Sequence, residues 1–353
     1  MKVAIYSPYL DTFGGGERYM MTIAEIFSNM KVDVLLDNHL ENTGAQFLKK
    51  ELQSRFNLRL ENVSFIKSPI GKGTNLFQRM IFLKKYDLFF YLTDGSIFIP
   101  SARKNILHIQ TPLIGQPAGS LWGRIKLKGW NLVIFNSEFT KEHSRKYWPL
   151  SSKVIYPPVD IDQIKPLKKK KYILSVGRFF GFLKSKKQEL MIKVFNELNK
   201  DLDGWSLNLA GSASKGDGLY LKDLKKLANK LPINFYPNLG YDDLIKLYGE
   251  SSIYWHAAGF GEDNPSKMEH FGISTVEAMA GGCVPVVIGN GGQKEIVENG
   301  KSGFIWDSLD ELKEFTIKLA YNQPLMQRMS KEGVARAGNF SKNKFKQNIL
   351  SLI

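Results

Sequence analysis

The chain of 353 residues carries one cysteine and a formal net charge of +15, with 43% hydrophobic and 24% charged residues. That is the composition of a globular protein long enough for two domains. A disulfide framework is excluded, which fits a reducing compartment, and no run of about 18 apolar residues offers a membrane-spanning helix. The positive excess calls for an anionic partner: a phosphate-bearing substrate, a membrane surface or a nucleic acid.

Residues 3–7 read as a first strand rather than as part of a signal peptide. The strand leads into Gly14-Gly15-Gly16, a loop able to bring backbone N–H groups close to a ligand. It is not the GxGxxG of dinucleotide folds, so a nicotinamide cofactor is not expected. Apolar residues at helical spacing follow (Tyr19, Met20, Ile23, Ala24, Phe27), then strand patterns at 32–36, 87–92, 105–109 and 132–136. Ser137 is placed to cap a helix over 138–147. Strands alternating with helices predict a parallel sheet.

Residues 62–130 hold ten Lys/Arg against two Asp/Glu, the whole positive excess of the first 160 residues. The cations alternate with Phe77, Ile81, Trp122, Ile125 and Trp130. That mixture suits an anionic membrane surface better than a single-stranded nucleic acid, a solvated face over ordinary core positions being the plain alternative.

From Pro157-Pro158 to Lys171 the hydrophobic periodicity lapses, which marks a boundary. The scheme then repeats, with strands at 172–177, 206–211, 233–236, 253–257 and 284–288 and helices at 188–199, 219–231 and 241–250. Residues 342–353 read as an amphipathic helix, and Cys283, in an apolar run, as a buried small residue. The fold class expected is α/β: two doubly wound, Rossmann-like domains over 1–160 and 168–335, with ligands beyond the C-terminal strand edges.

Arg178 emerges at such an edge and Lys186 opens the next helix. A guanidinium fork and an ammonium point charge can bracket a diphosphate, with Lys184 and Lys187 as alternatives to Lys186. Further on, Glu269 and Glu277 frame His-Phe-Gly-Ile-Ser-Thr-Val. Gly272 fits a tight turn, and Ser274 and Thr275 suit a helix start, which places Glu277 in the helix's first turns. A helix N-terminus favours phosphate, and carboxylates accept hydrogen bonds from hydroxyls. Both together fit a ligand with phosphates and sugar hydroxyls. His108 stands at a strand end, and His256 and His270 flank the same region. No His, Asp or Cys cluster has metal-ligand spacing, so no metal is expected.

Glu269-x7-Glu277, with Phe271-Gly272 and Glu277-Ala278-Met279, resembles the signature of the retaining GT-B glycosyltransferases of group one, family four. Matching pieces occur in the family's order: Gly14-Gly15-Gly16-Glu17, Asn136-Ser137, residues 155–160, Ser175 to Arg178, and Gly291-Gly292 with Glu295. The stretch from Trp255-His256 to Phe271-Gly272 looks most like the branch that adds mannose to lipid-linked sugars. The resemblance implies a GT-B architecture facing a cleft, a donor-side C-terminal domain, an acceptor-side N-terminal domain, and a helix over 340–353 packing back on the latter. It assigns catalysis to Glu269, Arg178, Lys186 and His108, and donor binding to Gly15, Gly16, Arg178, Lys186, Phe271, Gly272, Ile273, Glu277, Gly291 and Gly292. Glu269 would meet the transferred sugar and Glu277 the ribose, while Glu295 reads as an ordinary first-turn acid.

The partners implied are a nucleotide-sugar donor, GDP-mannose before UDP-hexoses, and a glycan or lipid-linked acceptor. No metal or other cofactor is implied. The location implied is cytoplasmic, peripheral on the inner face of a membrane. The rival readings are another GT-B enzyme, such as a nucleotide-sugar epimerase or a phosphorylase, and a non-catalytic nucleotide-sugar-binding protein.

Overall fold

Strands that are apolar on both faces must be covered on both faces, and two sheets of this kind organise the protein. The computed structural model describes residues 1–40, 43–71, 73–115, 117 and 119–353. They fall into two units, Met1–Pro158 with Phe345–Ile353, and Val159–Lys344.

The first unit runs β1 (Lys2–Tyr6), α1 (Gly15–Ile26), β2 (Lys31–Leu36), α2 (Ala45–Phe56), β3 (Val63–Lys67), α3 (Leu76–Leu83), β4 (Leu88–Leu92), β5 (Lys104–Ile109), α4 (Leu121–Leu127), β6 (Leu132–Phe135), α5 (Glu138–Ser144) and β7 (Ser152–Val154). Its sheet has the order β3-β2-β1-β4-β5-β6-β7. Every pairing is parallel, with Val3 opposite Val32 and Leu88.

The period of two divides this sheet between two cores. Val3 and Ile5 pack with Val34, Phe90 and Ile106 under α1 and α2, joined by Phe345, Ile349 and Leu352. Ala4 and Tyr6 face the other way, with Phe89, Tyr91 and Leu107, onto Leu83 of α3 and Leu127 of α4. The one carboxylate inside β2, Asp33, is buried but accepts a hydrogen bond from Tyr86 Oη at 2.8 Å and lies 3.5 Å from Lys2 Nζ. The sequence reading had no strands at β3 and β7 and no helices at α2, α3 and α4. These elements are short or only half apolar, and their burial comes from the neighbours they meet in the fold.

The second unit runs β8 (Tyr172–Val176), α6 (Gln188–Leu198), β9 (Ser206–Gly211), α7 (Gly218–Leu227), β10 (Ile233–Pro237), α8 (Tyr241–Glu250), β11 (Ile253–His256), α9 (Ile273–Ala280), β12 (Val284–Ile288), α10 (Gln293–Ile296), β13 (Phe304–Trp306), α11 (Leu309–Tyr321) and α12 (Gln323–Ala337). A last helix, α13 (Lys342–Leu350), follows. The order β10-β9-β8-β11-β12-β13 reverses direction between β8 and β11, as in a doubly wound sheet. Ile173, Leu207, Leu209, Trp255 and Val286 form one core with α6, α11 and α12, and the Trp255 indole N–H donates to Thr316 Oγ1 at 3.0 Å.

The other side is tied by Lys169. Its ammonium donates to Gly249 O (2.8 Å), Ser251 O (2.7 Å) and Gly281 O (2.5 Å), the carbonyls that end α8 and α9. A cation satisfies such orphan carbonyls and opposes the negative end of each helix dipole. Cys283 is buried beside it, as expected, and its thiol donates to Tyr248 O at 3.1 Å. Replacing Lys169 by Met keeps the stem but removes three hydrogen bonds: Gly281 O loses its donor, while Gly249 O keeps Leu167 N and Ser251 O keeps the Cys283 thiol. Urea unfolding should show a loss of about 2–3 kcal/mol; an unchanged midpoint would remove this role.

Candidate functional site

In the second unit the C-terminal strand edge gathers charged side chains. β8 ends at Val176, and Arg178 stands exposed two residues beyond it. The segment is held by Gln188, the first residue of α6, whose amide donates to Arg178 O at 3.1 Å. Among the described residues the Arg178 guanidinium has no recorded hydrogen-bond or ion-pair partner, so it is available to an anion.

Three lysines approach the same edge, and their partners separate them. Lys184 pairs with Glu189 (2.8 Å) and Lys187 with Glu262 (2.7 Å). Lys186 reaches across to Glu269, with Nζ to Oε2 at 2.5 Å. Its stem lies over Gly177, where a Cβ would stand 2.8 Å from Lys186 Cγ. Gly177 is therefore small for packing rather than for flexibility.

Glu269 Oε2 also takes His256 Nε2, at 3.1 Å. Burial would raise the Glu269 pKa, yet the Lys186 charge and the His256 hydrogen bond prevail and hold the carboxyl well below its ordinary value. For His256 burial prevails and lowers the pKa, against a smaller upward pull from Glu269. His270, which bonds Ser266 O at 3.2 Å, is also lowered, chiefly by burial.

After Glu269 the chain turns at Gly272, with φ of 118°, into α9. Only glycine holds that conformation without strain, and a Cβ there would meet Gln293 Nε2 at 2.4 Å. Ser274 and Thr275 do not cap this helix. Gly272 occupies the N-cap with no side-chain bond; Ser274 Oγ accepts from Tyr254 Oη at 2.8 Å, and Thr275 Oγ1 is buried without a hydrogen-bond partner among the described residues. Ile273 begins α9. Glu277, half-buried in its second turn, accepts from Tyr248 Oη at 3.0 Å.

Phe271 is buried against Phe340, with ring centroids 5.5 Å apart, so only its backbone can meet a ligand. Gly291 and Gly292 lie against the 269–271 backbone, where Cβ atoms would stand 2.1 Å from Glu269 O and 2.6 Å from His270 O. Gly292 N donates to Glu269 O at 2.8 Å. What these glycines approach in this structure is the Glu269 segment itself. Glu295 lies in the first turn of α10.

In the first unit, Gly14 is the N-cap of α1, and Gly15 and Gly16 are its first residues. Glu17 supplies one half of a capping box, accepting from Gly14 N (2.7 Å), and also accepts from Thr12 Oγ1 (2.9 Å). Gly16 is packed by the chain's own Gln110, whose Oε1 would lie 2.3 Å from a Cβ, while Gly15 is exposed.

His108 is wholly buried. It stacks on Tyr19 at 3.8 Å, its Nδ1 meets Ile134 O at 3.2 Å, and its Nε2 has no partner. Burial pushes its pKa down to about 3. In this conformation it presents no atom to a ligand, contrary to the catalytic role its strand-end position suggested: it lies inside the α1-side core of the sheet.

Sequence reading missed a cluster at the C-terminal strand edge of the first unit's sheet. Asp37 accepts from Tyr6 Oη (2.5 Å) and lies 3.1 Å from His39 Nδ1, and Asp94 accepts from Tyr9 Oη (2.9 Å). An Asp one or two residues after an apolar strand was the available signal, in Leu35-Leu36-Asp37 and Leu92-Thr93-Asp94. Among the described residues no three His, Cys, Asp or Glu side chains are grouped to hold a metal ion.

Two doubly wound parallel sheets, one with this cation-and-carboxylate edge, define the GT-B architecture of sugar-transferring proteins. The chain belongs to the group 1 glycosyl transferases, whose family description matches residues 159–336. It is 28% identical over 247 residues to a GDP-Man:Man(3)GlcNAc(2)-PP-Dol alpha-1,2-mannosyltransferase of Dictyostelium discoideum, covering 63% of this chain and 46% of that one. The chain thus spans about half the length of the curated relatives it matches. Among solved structures it is similar in fold to a glycosyltransferase of Rickettsia africae (TM-score 0.75, 18% identity, 99% of this chain and 97% of that one). It is also similar to Anabaena HepE solved with UDP and glucose (TM-score 0.70, 18% identity, 100% and 99%).

The buried His108 sets a pH dependence. Its folded pKa lies below the unfolded value of about 6.5, so the stability it confers is present above that value and is lost as pH falls towards 3. His108→Asn keeps a donor for Ile134 O and removes the titration. Its stability curve between pH 6.5 and 4 should be flatter than wild type, by at most about 1.4 kcal/mol per pH unit. Identical slopes in chemical unfolding would show that His108 titrates normally.

Proposed function

We propose that the protein is a retaining hexosyltransferase. It would move a hexose, mannose foremost, from a nucleotide diphosphate sugar to an acceptor hydroxyl on a lipid-linked sugar or glycan. The observation that carries this reading is the Lys186–Glu269 pair beside the exposed Arg178 and the Gly272 turn into α9, in a member of a glycosyltransferase family.

In this reading the bond between the anomeric carbon and the diphosphate oxygen breaks, and a bond from that carbon to the acceptor oxygen forms on the same face. The acceptor's proton goes to the departing diphosphate. Arg178, Lys186 and the N–H groups at the start of α9 meet the negative charge that grows on the leaving group. Glu269 bonds hydroxyls of the transferred sugar, and Glu277 those of the ribose. No metal is needed for this division of roles. In the first unit, the Asp37 and Asp94 edge offers carboxylates to a hydroxyl-rich acceptor. Mannose is supported by the names of relatives such as the human GDP-Man:Man(3)GlcNAc(2)-PP-Dol alpha-1,2-mannosyltransferase, 29% identical over 248 residues.

Nucleotide diphosphate release from a panel of GDP- and UDP-hexoses tests the donor. Glu269→Gln and Arg178→Ala should each lower turnover about 100-fold or more with the melting temperature retained. Near-wild-type turnover in either would sink the site assignment.

The location that goes with a lipid-linked acceptor is the inner, anionic face of a membrane. The support comes from α3 and α4, which pack Leu83 and Leu127 into one aromatic core and expose Phe77 (73%), Ile81 (76%), Leu121 (75%) and Trp122 (71%). Neither helix carries an acid, and Lys84, Lys85, Arg124, Lys126 and Lys128 lie on or beside them. Lys72, Gln116 and Ala118 of the 62–130 segment lie outside the described residues. No helix among the described residues is long and apolar enough to cross a membrane. Exposed aromatic residues among cations suit interfacial binding to anionic lipid. Phosphatidylserine vesicles should float the protein at low salt, and Phe77→Ser with Trp122→Ser should lower the floated fraction several-fold. Absence of flotation at low salt would remove the membrane contact.

A further inference from the structure

We infer that His256 is a positioning residue for Glu269: with Lys186 it pins one carboxylate oxygen, Oε2, and so presents the other, Oε1, to a hydroxyl of the transferred sugar. The inference rests on the donor-site reading above and adds a residue that the family signature does not assign.

Three observations carry it. Both donors converge on the same oxygen, Lys186 Nζ at 2.5 Å and His256 Nε2 at 3.1 Å. Oε1 has no recorded hydrogen bond to a described residue and is not among the buried polar atoms that lack a partner, so solvent reaches it. The His256 ring itself is fixed: it is 4% exposed, at the end of β11, where the backbone is in register with Val287 of β12.

The proton on the ring follows from the partner. An ionised carboxylate only accepts, so Nε2 must carry the hydrogen and Nδ1 must be bare. Nδ1 is sealed in the interior without a donor. A residue kept only to fill space need leave no such orphan, since Leu or Phe would fill β11 without one. The orphan nitrogen is tolerated because the other nitrogen holds Glu269. Burial keeps the ring neutral, so it orients the carboxylate without adding a second positive charge beside Lys186.

His256→Leu and His256→Gln separate positioning from packing. Gln returns an N–H near the place of Nε2, and Leu does not. With whichever GDP- or UDP-hexose the wild type consumes, Leu should lower kcat about 10- to 100-fold and leave the Kd of GDP or UDP alone unchanged. Gln should restore most of the rate. Wild-type kcat in the Leu variant, or a loss that Gln does not relieve, would overturn the inference. If the wild type consumes none of the sugars, the donor reading fails, and the ring 15N spectrum still decides on His256. An Nε2–H tautomer whose signals move in Glu269→Gln supports the contact; an Nδ1–H tautomer, or no response to Glu269→Gln, ends it.

Discussion

A half-buried carboxylate that must stay ionised is the constraint on which the second unit's sheet edge is built. Burial alone would neutralise Glu269, and only a near cation and a hydrogen-bond donor reverse that. Lys186 comes from the loop before α6, His256 from the end of β11, and Glu269 from the segment before α9. Three separate connections must therefore meet at one oxygen. The glycines around them follow from that demand. Gly177 gives room to the Lys186 stem, Gly272 turns the chain into α9, and Gly291 and Gly292 let a neighbouring loop clasp the Glu269 backbone. Lys169 acts behind the edge, holding the far ends of α8 and α9. A helix fixed at its C-terminus presents its N-terminus at a fixed place.

The same logic explains why Lys186, rather than a neighbour, serves the edge. Lys184 and Lys187 have partners away from Glu269, in Glu189 and in Glu262, which Lys267 shares, and both sit at positive φ, 47° and 55°. Those two left-handed residues bend the loop twice on either side of Lys186. A non-glycine residue there carries a modest conformational cost, and the loop bears it twice while Lys186 lies across Gly177 towards Glu269. The pairings also matter electrostatically. With two of the three ammonium groups neutralised locally, the charge facing Glu269 belongs to one side chain of defined position, not to a diffuse basic loop.

Much of this was legible in the chain. The strands of both sheets that are apolar on both faces, such as β4, β5, β9 and β12, announce themselves because continuous apolar runs bounded by Gly, Asp or Asn have few other solutions. Arg178, Lys186, Glu269 and Gly272 could be named because residue type and strand-end position jointly limit what they can do. What could not be read was contact across the sequence. His256 lies 13 residues before Glu269 and Lys186 lies 83 before it, and no local pattern shows that they share an oxygen. His108 shows the opposite failure. A strand-end histidine looks available, but burial is decided by what covers the strand, here Tyr19 of α1. The short helices α3 and α4 escaped for a different reason: at eight and seven residues each makes about two turns, too few for a helical period to stand out.

The exposed side chains of those two helices have a physical meaning. A helix in a globular unit ordinarily turns large apolar side chains inward, because exposing them forgoes roughly 1.5–3 kcal/mol each. α3 and α4 already have inward residues that satisfy the aromatic core, and they expose further apolar side chains all the same. Six large exposed side chains, Leu76, Phe77, Ile81, Leu121, Trp122 and Ile125, on two helices without an acid are a standing cost in water, offset only when something apolar covers them. The charge beside them selects the cover. Cations would be repelled by a basic partner and left idle by a neutral one, whereas an anionic lipid surface answers both the apolar side chains and the lysines. The proposed lipid-linked acceptor would be delivered at that kind of surface. The exposed apolar side chains of α3 and α4, with the cations beside them, thus support the proposed membrane contact.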